Sequence, residues 1–428
     1  MPSISKLKNG LKVVKIPMLG TKAVTIMVML PVGSRYENIK INGVSHFVEH
    51  MMFKGTKKRP TALKLSRELD AFGAEYNAFT SKDYTGYYIK ISKEKFAVAA
   101  DLLSDMLFNS KMEEEEFKKE KGVIIEEIRM YDDNPTMSID SLFEKVLFGD
   151  TSLGRDIAGT EKIIKELKHK ELVDYYQGSY FTKNMVLAVV GNLDKNCNKL
   201  IKKYFDVALN NKTKKWFNVD NFEKISWPKK KLPLEKRILV KQKKIDQAHV
   251  IMGFPGYKIK DDRRHIGAVL LNILGGGMSS RLFVEVREKR GLAYMVRASN
   301  EAFRDIGSVY IQTGLDPKRL KDAFSVIKDE LKKISKIEVE DKELKDAKNN
   351  LIGHLALALE DGSVQAMRAV RGLLFTNKIE TYEEIVKKIR AVSAKQILSL
   401  AREIFREDQM RLAVISPLTE KEIIKMLK

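Results

Sequence analysis

Met185-Val186-Leu187-Ala188-Val189 and Met410-Arg411-Leu412-Ala413-Val414 are two versions of one short apolar strand, displaced by 225 residues, from 185 to 410. Apolar runs of this length bounded by polar residues read as buried strands. A second echo lies upstream of each. Leu65-Ser66-Arg67-Glu68-Leu69 followed by Gly73 and Tyr76 recurs as Leu282-Phe283-Val284-Glu285-Val286 followed by Gly291 and Tyr294, the glycine and tyrosine displaced by 218. Two echoes in the same order at similar offsets indicate an internal duplication, which sets the domain count before any element is assigned.

Working outward, the 428 residues divide into two domains, 1–210 and 236–428, joined by a linker over 211–235. The linker expectation rests on fading periodicity, dense charge and two prolines between Asn210 and Pro233. Trp216 and Trp227 qualify it, since a solvated linker rarely spends tryptophans, so this stretch is expected to pack on a domain surface. Within the first half, Val24-Thr25-Ile26-Met27-Val28-Met29-Leu30 and Tyr84-Thr85-Gly86-Tyr87-Tyr88-Ile89-Lys90-Ile91 carry the β-branched and aromatic content of strands. Thr61 through Leu69 reads as a helix stopped near Gly73, and Ser92 as the cap of a helix running through Leu107. Strands and helices without strict alternation give an α+β class: two duplicated domains, each a largely antiparallel mixed sheet packed against helices.

Composition is that of an ordinary soluble globular chain, with 44% hydrophobic and 32% charged residues. No apolar run reaches the roughly 18–20 residues of a membrane helix, and the first residues lack a signal-peptide core, so a cytoplasmic protein without a membrane partner is expected. The single cysteine, Cys197, excludes a disulfide framework and a cysteine-rich metal site. A net charge of +21 raises the question of nucleic acid, but the basic residues are spread along the chain. Their densest cluster, Lys229-Lys230-Lys231, falls in the expected linker, and no nucleic-acid partner is expected.

The chemistry concentrates at His46-Phe47-Val48-Glu49-His50. Histidines four apart on a helix project from one face and can bind one ion. A carboxylate beside them can take a proton from a metal-activated water and return it to a leaving amine. With six histidines in the chain, this pattern arises by chance in on the order of one chain per hundred. The competing reading is a pair of packed histidines beside a glutamate in a helix interface. A catalytic zinc site needs a third protein donor. The candidate region is Glu120-Lys121-Gly122-Val123-Ile124-Ile125-Glu126-Glu127-Ile128, where Glu120 and Glu127 share a helical face and Glu126 is turned away from Glu127 by about 100°. Taken alone, this segment is an amphipathic helix with a solvated face. The other histidines, His169, His249, His265 and His354, lack ligand spacing. Gly275-Gly276-Gly277 is not followed by the Gly-Lys-Ser/Thr ending of a phosphate loop and reads as a flexible connection.

These residues together resemble the pitrilysin and insulin-degrading metallopeptidases, above all the short-chain branch that includes the mitochondrial processing peptidase subunits. The resemblance spans nearly the whole chain. It is carried by His46 through Thr56, by the Glu120–Glu127 segment, and by Gly275 through Phe283 leading to Arg287-Glu288-Lys289-Arg290-Gly291-Leu292-Ala293-Tyr294. The inverted motif is an inverzincin signature. The resemblance implies one zinc ion per chain held by His46, His50 and Glu127, with Glu49 as general base and Glu120 orienting a ligand from behind. It further implies that Arg287 and Tyr294 bind substrate and steady the developing oxyanion. Without the family, that pair is a helix-to-strand junction with a satisfied core tyrosine. Asn77-Ala78-Phe79-Thr80 resembles the family's edge segment beside the metal, where an extended peptide adds as a strand, with Asn77, Ala78 and Phe79 as its substrate-binding residues; the alternative is an ordinary strand entry.

The implied activity is zinc endopeptidase action on extended peptides or unfolded protein segments. A homodimer, or a heterodimer with a related subunit, would complete sites in trans. The alternative is a catalytically silent scaffold or assembly subunit of the same fold. Strongly basic overall charge points away from basic presequences as the substrate.

Overall fold

Six strands, β1 (Ser3–Lys6), β2 (Lys12–Pro17), β3 (Ala23–Leu30), β4 (Glu75–Thr80), β5 (Thr85–Ser92) and β6 (Val186–Gly191), form the first sheet in the order β1-β2-β6-β3-β5-β4. The computed structural model describes residues 2–207, 220–227 and 231–427. Only β2 and β6 run parallel; the other neighbours are antiparallel. Central β3 explains why its residues are apolar without a break. Ile26, Val28 and Leu30 enter one apolar layer, while Met27 and Met29 enter the other, as a period of two dictates for a strand buried on both faces.

The second sheet repeats the plan. Its strands, β7 (Ile238–Gln242), β8 (Ala248–Pro255), β9 (Ala293–Ala302), β10 (Gly307–Leu315) and β11 (Arg411–Ser416), are ordered β7-β11-β8-β10-β9. Here β7 and β11 are the parallel pair. Strand for strand this matches β2-β6-β3-β5-β4, so the duplication read from the two apolar echoes is a duplication of topology, and the α+β class with mixed, largely antiparallel sheets holds.

Helices cover both faces of each sheet. In the first unit, α1 (Val44–Met51), α2 (Ala62–Asp70) and α3 (Phe96–Asn109) contribute to the larger core, with Phe47, Leu65 and Leu103 fully or almost fully buried. Thr61 caps α2, its hydroxyl accepting from the Lys64 N–H. Ser92 does not cap α3: it precedes a 3-10 turn, Lys93–Lys95, without a side-chain capping bond, and α3 begins at Phe96. The helices α4 (Glu114–Asp133) and α5 (Pro135–Phe148) follow.

The covering of the second faces departs from contiguous domains. Helix Gly362–Arg371 lays Ala366, Ala369 and Val370 on Met27, Met29 and Val190 of the first sheet. Helix α5 lays Ile139, Phe143 and Leu147 on Ile251, Ala413 and Ile415 of the second. The compact units are therefore not 1–210 and 236–428. One consists of Met1–Arg129, Arg155–Glu223 and Leu357–Ile379, the other of Met130–Gly154, Lys224–Ala356 and Glu380–Lys428. The physical reason is that a sheet apolar on both faces needs a second cover, and each sheet takes that cover from the other half of the sequence. Of the expected linker, Trp227 is half-buried and stacks on Phe148 of α5 at 5.7 Å. Trp216, Lys229 and Lys230 lie outside the described residues.

Candidate metal centre

Helix α1 is short, and its position is set by what surrounds it. Gly43 precedes it at φ 101°, and a Cβ there would lie 2.5 Å from the Ala158 carbonyl oxygen. A glycine has no capping side chain, and the buried Glu37 supplies the missing acceptor. Its carboxylate receives the Gly43 and Ser45 N–H groups, both at 2.7 Å, and the Asn42 amide at 2.8 Å. Orphan N–H groups of the first turn are thereby satisfied. Burial pushes the Glu37 pKa up while these donors pull it down. Phe47, Val48 and Met51 are fully buried, each contributing about 1.5–3 kcal/mol of hydrophobic stabilisation. Phe47 stacks on Phe117 of α4 at 4.7 Å, which brings the two helices together.

On this frame the i, i+4 spacing places the His46 and His50 rings 4.5 Å apart. Glu127 of α4 reaches between them, its Oε2 lying 3.3 Å from His50 Nε2 and 3.7 Å from His46 Nε2. One donor atom from each of the three residues lies within 4.8 Å of the others. It is the one such cluster found among the described residues. Donors about 2.0–2.1 Å from a tetrahedral ion stand roughly 3.3 Å from one another, so these separations fit a zinc ion. Glu127 Oε2 is buried and makes no aligned hydrogen bond, and a buried lone pair left over in this way suits a metal. Glu126, the adjacent carboxylate, is exposed and pairs with Arg129 at 2.7 Å.

Behind His50 stands Glu120, nearly buried. Its Oε1 is 2.9 Å from His50 Nδ1, and its Oε2 is 2.6 Å from Lys54 Nζ. That contact turns His50 Nε2 toward Glu127 and fixes the ring orientation, as carboxylate partners of metal-binding histidines do. Burial pushes the Glu120 pKa up, but the bonds from His50 and Lys54 outweigh it and hold the group below its usual value. The His50 imidazole, 3.3 Å away, holds Glu127 low as well. Burial pushes His46 down to about 4. Burial also lowers His50, yet Glu120 and Glu127 overcome it and raise the imidazole to about 9. Glutamine at 120 keeps the shape but loses the charge behind His50. The zinc dissociation constant of Glu120→Gln, measured by competition with a chelator, is expected to rise about 10–100-fold.

Glu49 lies beside this cluster, and its Oε2 accepts a hydrogen bond from Thr80 Oγ1 at the end of β4. Burial pushes the Glu49 pKa up and the Thr80 donor pulls it down. Strand β4, which carries Asn77, Ala78 and Phe79, is the edge of its sheet, paired among the described residues to β5 on one side only. The Ala78 N–H is taken up by Asn77 Oδ1 at 2.9 Å.

Arg287 and Tyr294 belong to the second unit. Arg287 sits in a π-turn, Phe283–Glu288, with its guanidinium 4.7 Å from the Phe283 ring centroid and 4.8 Å from that of Tyr294. It also donates to the Tyr294 carbonyl at 3.0 Å. Tyr294 is 77% exposed, which overturns the reading of a satisfied core tyrosine. Gly275 ends a helix, Arg264–Gly275, and a Cβ there would lie 2.4 Å from the Ala298 backbone nitrogen. Close packing on β9 accounts for that glycine.

Glu37, Lys54 and Thr80 were missed as members of the site. Lys54 and Thr80 stand inside quoted motifs, but their role depends on partners 66 and 31 residues away, Glu120 and Glu49. Glu37 carried one usable signal, an acidic residue just ahead of a helix that opens on glycine.

Residues 12–161 match the family model described as Insulinase (Peptidase family M16), and residues 166–351 match that of the Peptidase M16 inactive domain. The chain is 36% identical to an uncharacterized zinc protease of Bacillus subtilis, over 96% of this chain and 97% of that one. It is 34% identical to an uncharacterized zinc protease of Streptomyces coelicolor, over 98% of this chain and 90% of that one. Among solved structures, a protease from Helicobacter pylori superposes with a TM-score of 0.86 at 25% identity, covering 97% of this chain and 99% of that one. Complex III2 from Candida albicans contains a chain of the same fold, with a TM-score of 0.83 at 16% identity, covering 99% of both chains.

Proposed function

From the premise that this chain belongs to peptidase family M16, we propose that it is a zinc-dependent endopeptidase hydrolysing extended peptides or unfolded protein segments. The observation that carries the reading is the convergence of His46, His50 and Glu127 with a half-buried Glu49 alongside. His46, His50 and Glu127 hold one zinc ion, and Glu120 orients His50. When bound, zinc supplies Lewis acidity that acidifies a water and polarises the scissile carbonyl. Glu49 takes the proton of the attacking water and returns it to the amine nitrogen as the C–N bond breaks. The peptide is seated as an added strand on the open edge of β4, along Asn77, Ala78 and Phe79, with backbone pairing giving affinity and little sequence selectivity. Zinc content, measured together with Glu49-dependent cleavage of a quenched peptide, tests this reading. Bound zinc without Glu49-dependent cleavage would favour the silent scaffold.

Arg287 and Tyr294 have the form of a substrate clamp: an exposed phenol on a guanidinium already held between two rings. In this reading they steady the oxyanion, and two copies of the chain form a homodimer whose sites are completed in trans. Mixing Glu49→Gln and Tyr294→Phe chains should then restore about one quarter of wild-type activity, because half the dimers are mixed and each has one intact site. No recovery despite subunit exchange would rule out completion in trans.

A further inference from the structure

The geometry points to Thr80 as the positioning residue for Glu49, linking the aim of the proton-carrying carboxylate to the strand edge on which the peptide is seated. This inference rests on the peptidase reading above. The Thr80 hydroxyl donates to Glu49 Oε2, the one hydrogen bond found for that carboxylate among the described residues. With one Oε2 lone pair taken by Thr80, Oε1 is the freer oxygen to carry the proton. The O–H bond of the attacking water breaks as one forms on Glu49 Oε1, and the same proton later passes to the leaving amine. Throughout, the hydroxyl can keep donating to Oε2, because neither proton state of Glu49 removes that acceptor. A carboxylate without this tether is free to turn about its terminal torsion, which is broad and nearly unhindered.

The tether is anchored in an informative place. Tyr76, Ala78 and Thr80 alternate along β4, and Tyr76 and Ala78 pack on the core that holds α1. The Tyr76 ring lies 6.4 Å from that of Phe53, just past the end of α1. The other edge of β4 pairs with no strand among the described residues. A peptide added there forms its ladder with the strand whose last residue holds the base. Seating the substrate and holding Glu49 in line are thus two tasks of one six-residue strand.

Thr80→Val removes the hydroxyl and keeps the shape, and Thr80→Ser restores the hydroxyl. With a quenched peptide, Thr80→Val should retain one zinc per chain, hold KM within about twofold and lower kcat about 10–100-fold, as a misplaced group does. Thr80→Ser should return kcat to within about threefold of wild type. Placed on Glu49→Gln, Thr80→Val should change the residual rate less than about twofold, since coupled groups are not additive. A readout independent of turnover is thermal unfolding. Thr80→Val should lower the Tm by about 2–4 °C more beside Glu49 than beside Glu49→Ala. Wild-type kcat in Thr80→Val, a Thr80→Ser no better than valine, or additivity with Glu49→Gln overturns the proposal. Loss of zinc-dependent cleavage in every chain, wild type included, with the Tm coupling intact, instead overturns the peptidase reading and with it the catalytic use of the contact.

Discussion

Glu49→Gln should keep one zinc ion per chain and lower kcat by about 10²–10⁴-fold, the range a general base supplies. Glutamine matches glutamate in shape, and its carbonyl oxygen can still accept from Thr80. The three converging donors, His46, His50 and Glu127, are untouched, so the metal stays. What disappears is the ability to accept a proton from water and deliver it to the amine. Peptide cleavage measured beside metal analysis separates the two effects. A variant that binds zinc and cleaves at the wild-type rate would show that Glu49 carries no proton.

Removing the zinc with a chelator should abolish cleavage and also change how stability depends on pH. In the metal-free chain His50 is raised to about 9 and His46 lowered to about 4, from 6.5 for both when unfolded. A raised histidine gives stability that is fully present below about 6.5 and is lost as pH rises through 9. The His50 shift corresponds to about 3 kcal/mol. A lowered histidine costs stability as pH falls below 6.5 toward 4, because the unfolded chain takes up the proton first. The metal-free protein should therefore be most stable near pH 6–7, with a Tm that falls on the alkaline side. With zinc bound, both imidazoles are neutral donors on either side of pH 7, so the alkaline fall attributable to His50 should vanish. Acidification should release the metal instead. Thermal melts across pH 5–9, with zinc and with chelator, compare the two. Parallel curves would mean that His50 has no such ionised pairing.

What could be read in the sequence was local. The β-branched, apolar run Val24–Leu30, the helix from Thr61 stopped near Gly73 and the i, i+4 histidines each express a relation among residues a few positions apart, and each appears in the fold where expected. The repeat was legible because two copies of a buried strand keep similar residues. What escaped was long-range. No periodicity tells that α5 covers the second sheet or that helix Gly362–Arg371 covers the first, since an apolar helical face does not name its partner. Ser92 had the chemistry of a cap but stands one short turn too early. In the site, the pentapeptide declared two donors and a neighbouring carboxylate, while the supports from Glu37, Lys54 and Thr80 became visible only once α1, α4 and β4 were brought together.

The crossed covering has a consequence for how the chain is made. The metal helix and five of the six strands of its sheet are synthesised by residue 92, and the sixth strand by residue 191. The helix that shields Met27, Met29 and Val190 emerges only at residues 362–371. Throughout that interval on the ribosome, the nascent first unit carries a bare apolar sheet face, an invitation to aggregation or chaperone capture. Either half of the gene expressed alone would be left in the same condition. Duplication gave the protein two similar sheets, but the exchange of covers makes them a single folding transaction that ends near the C-terminus.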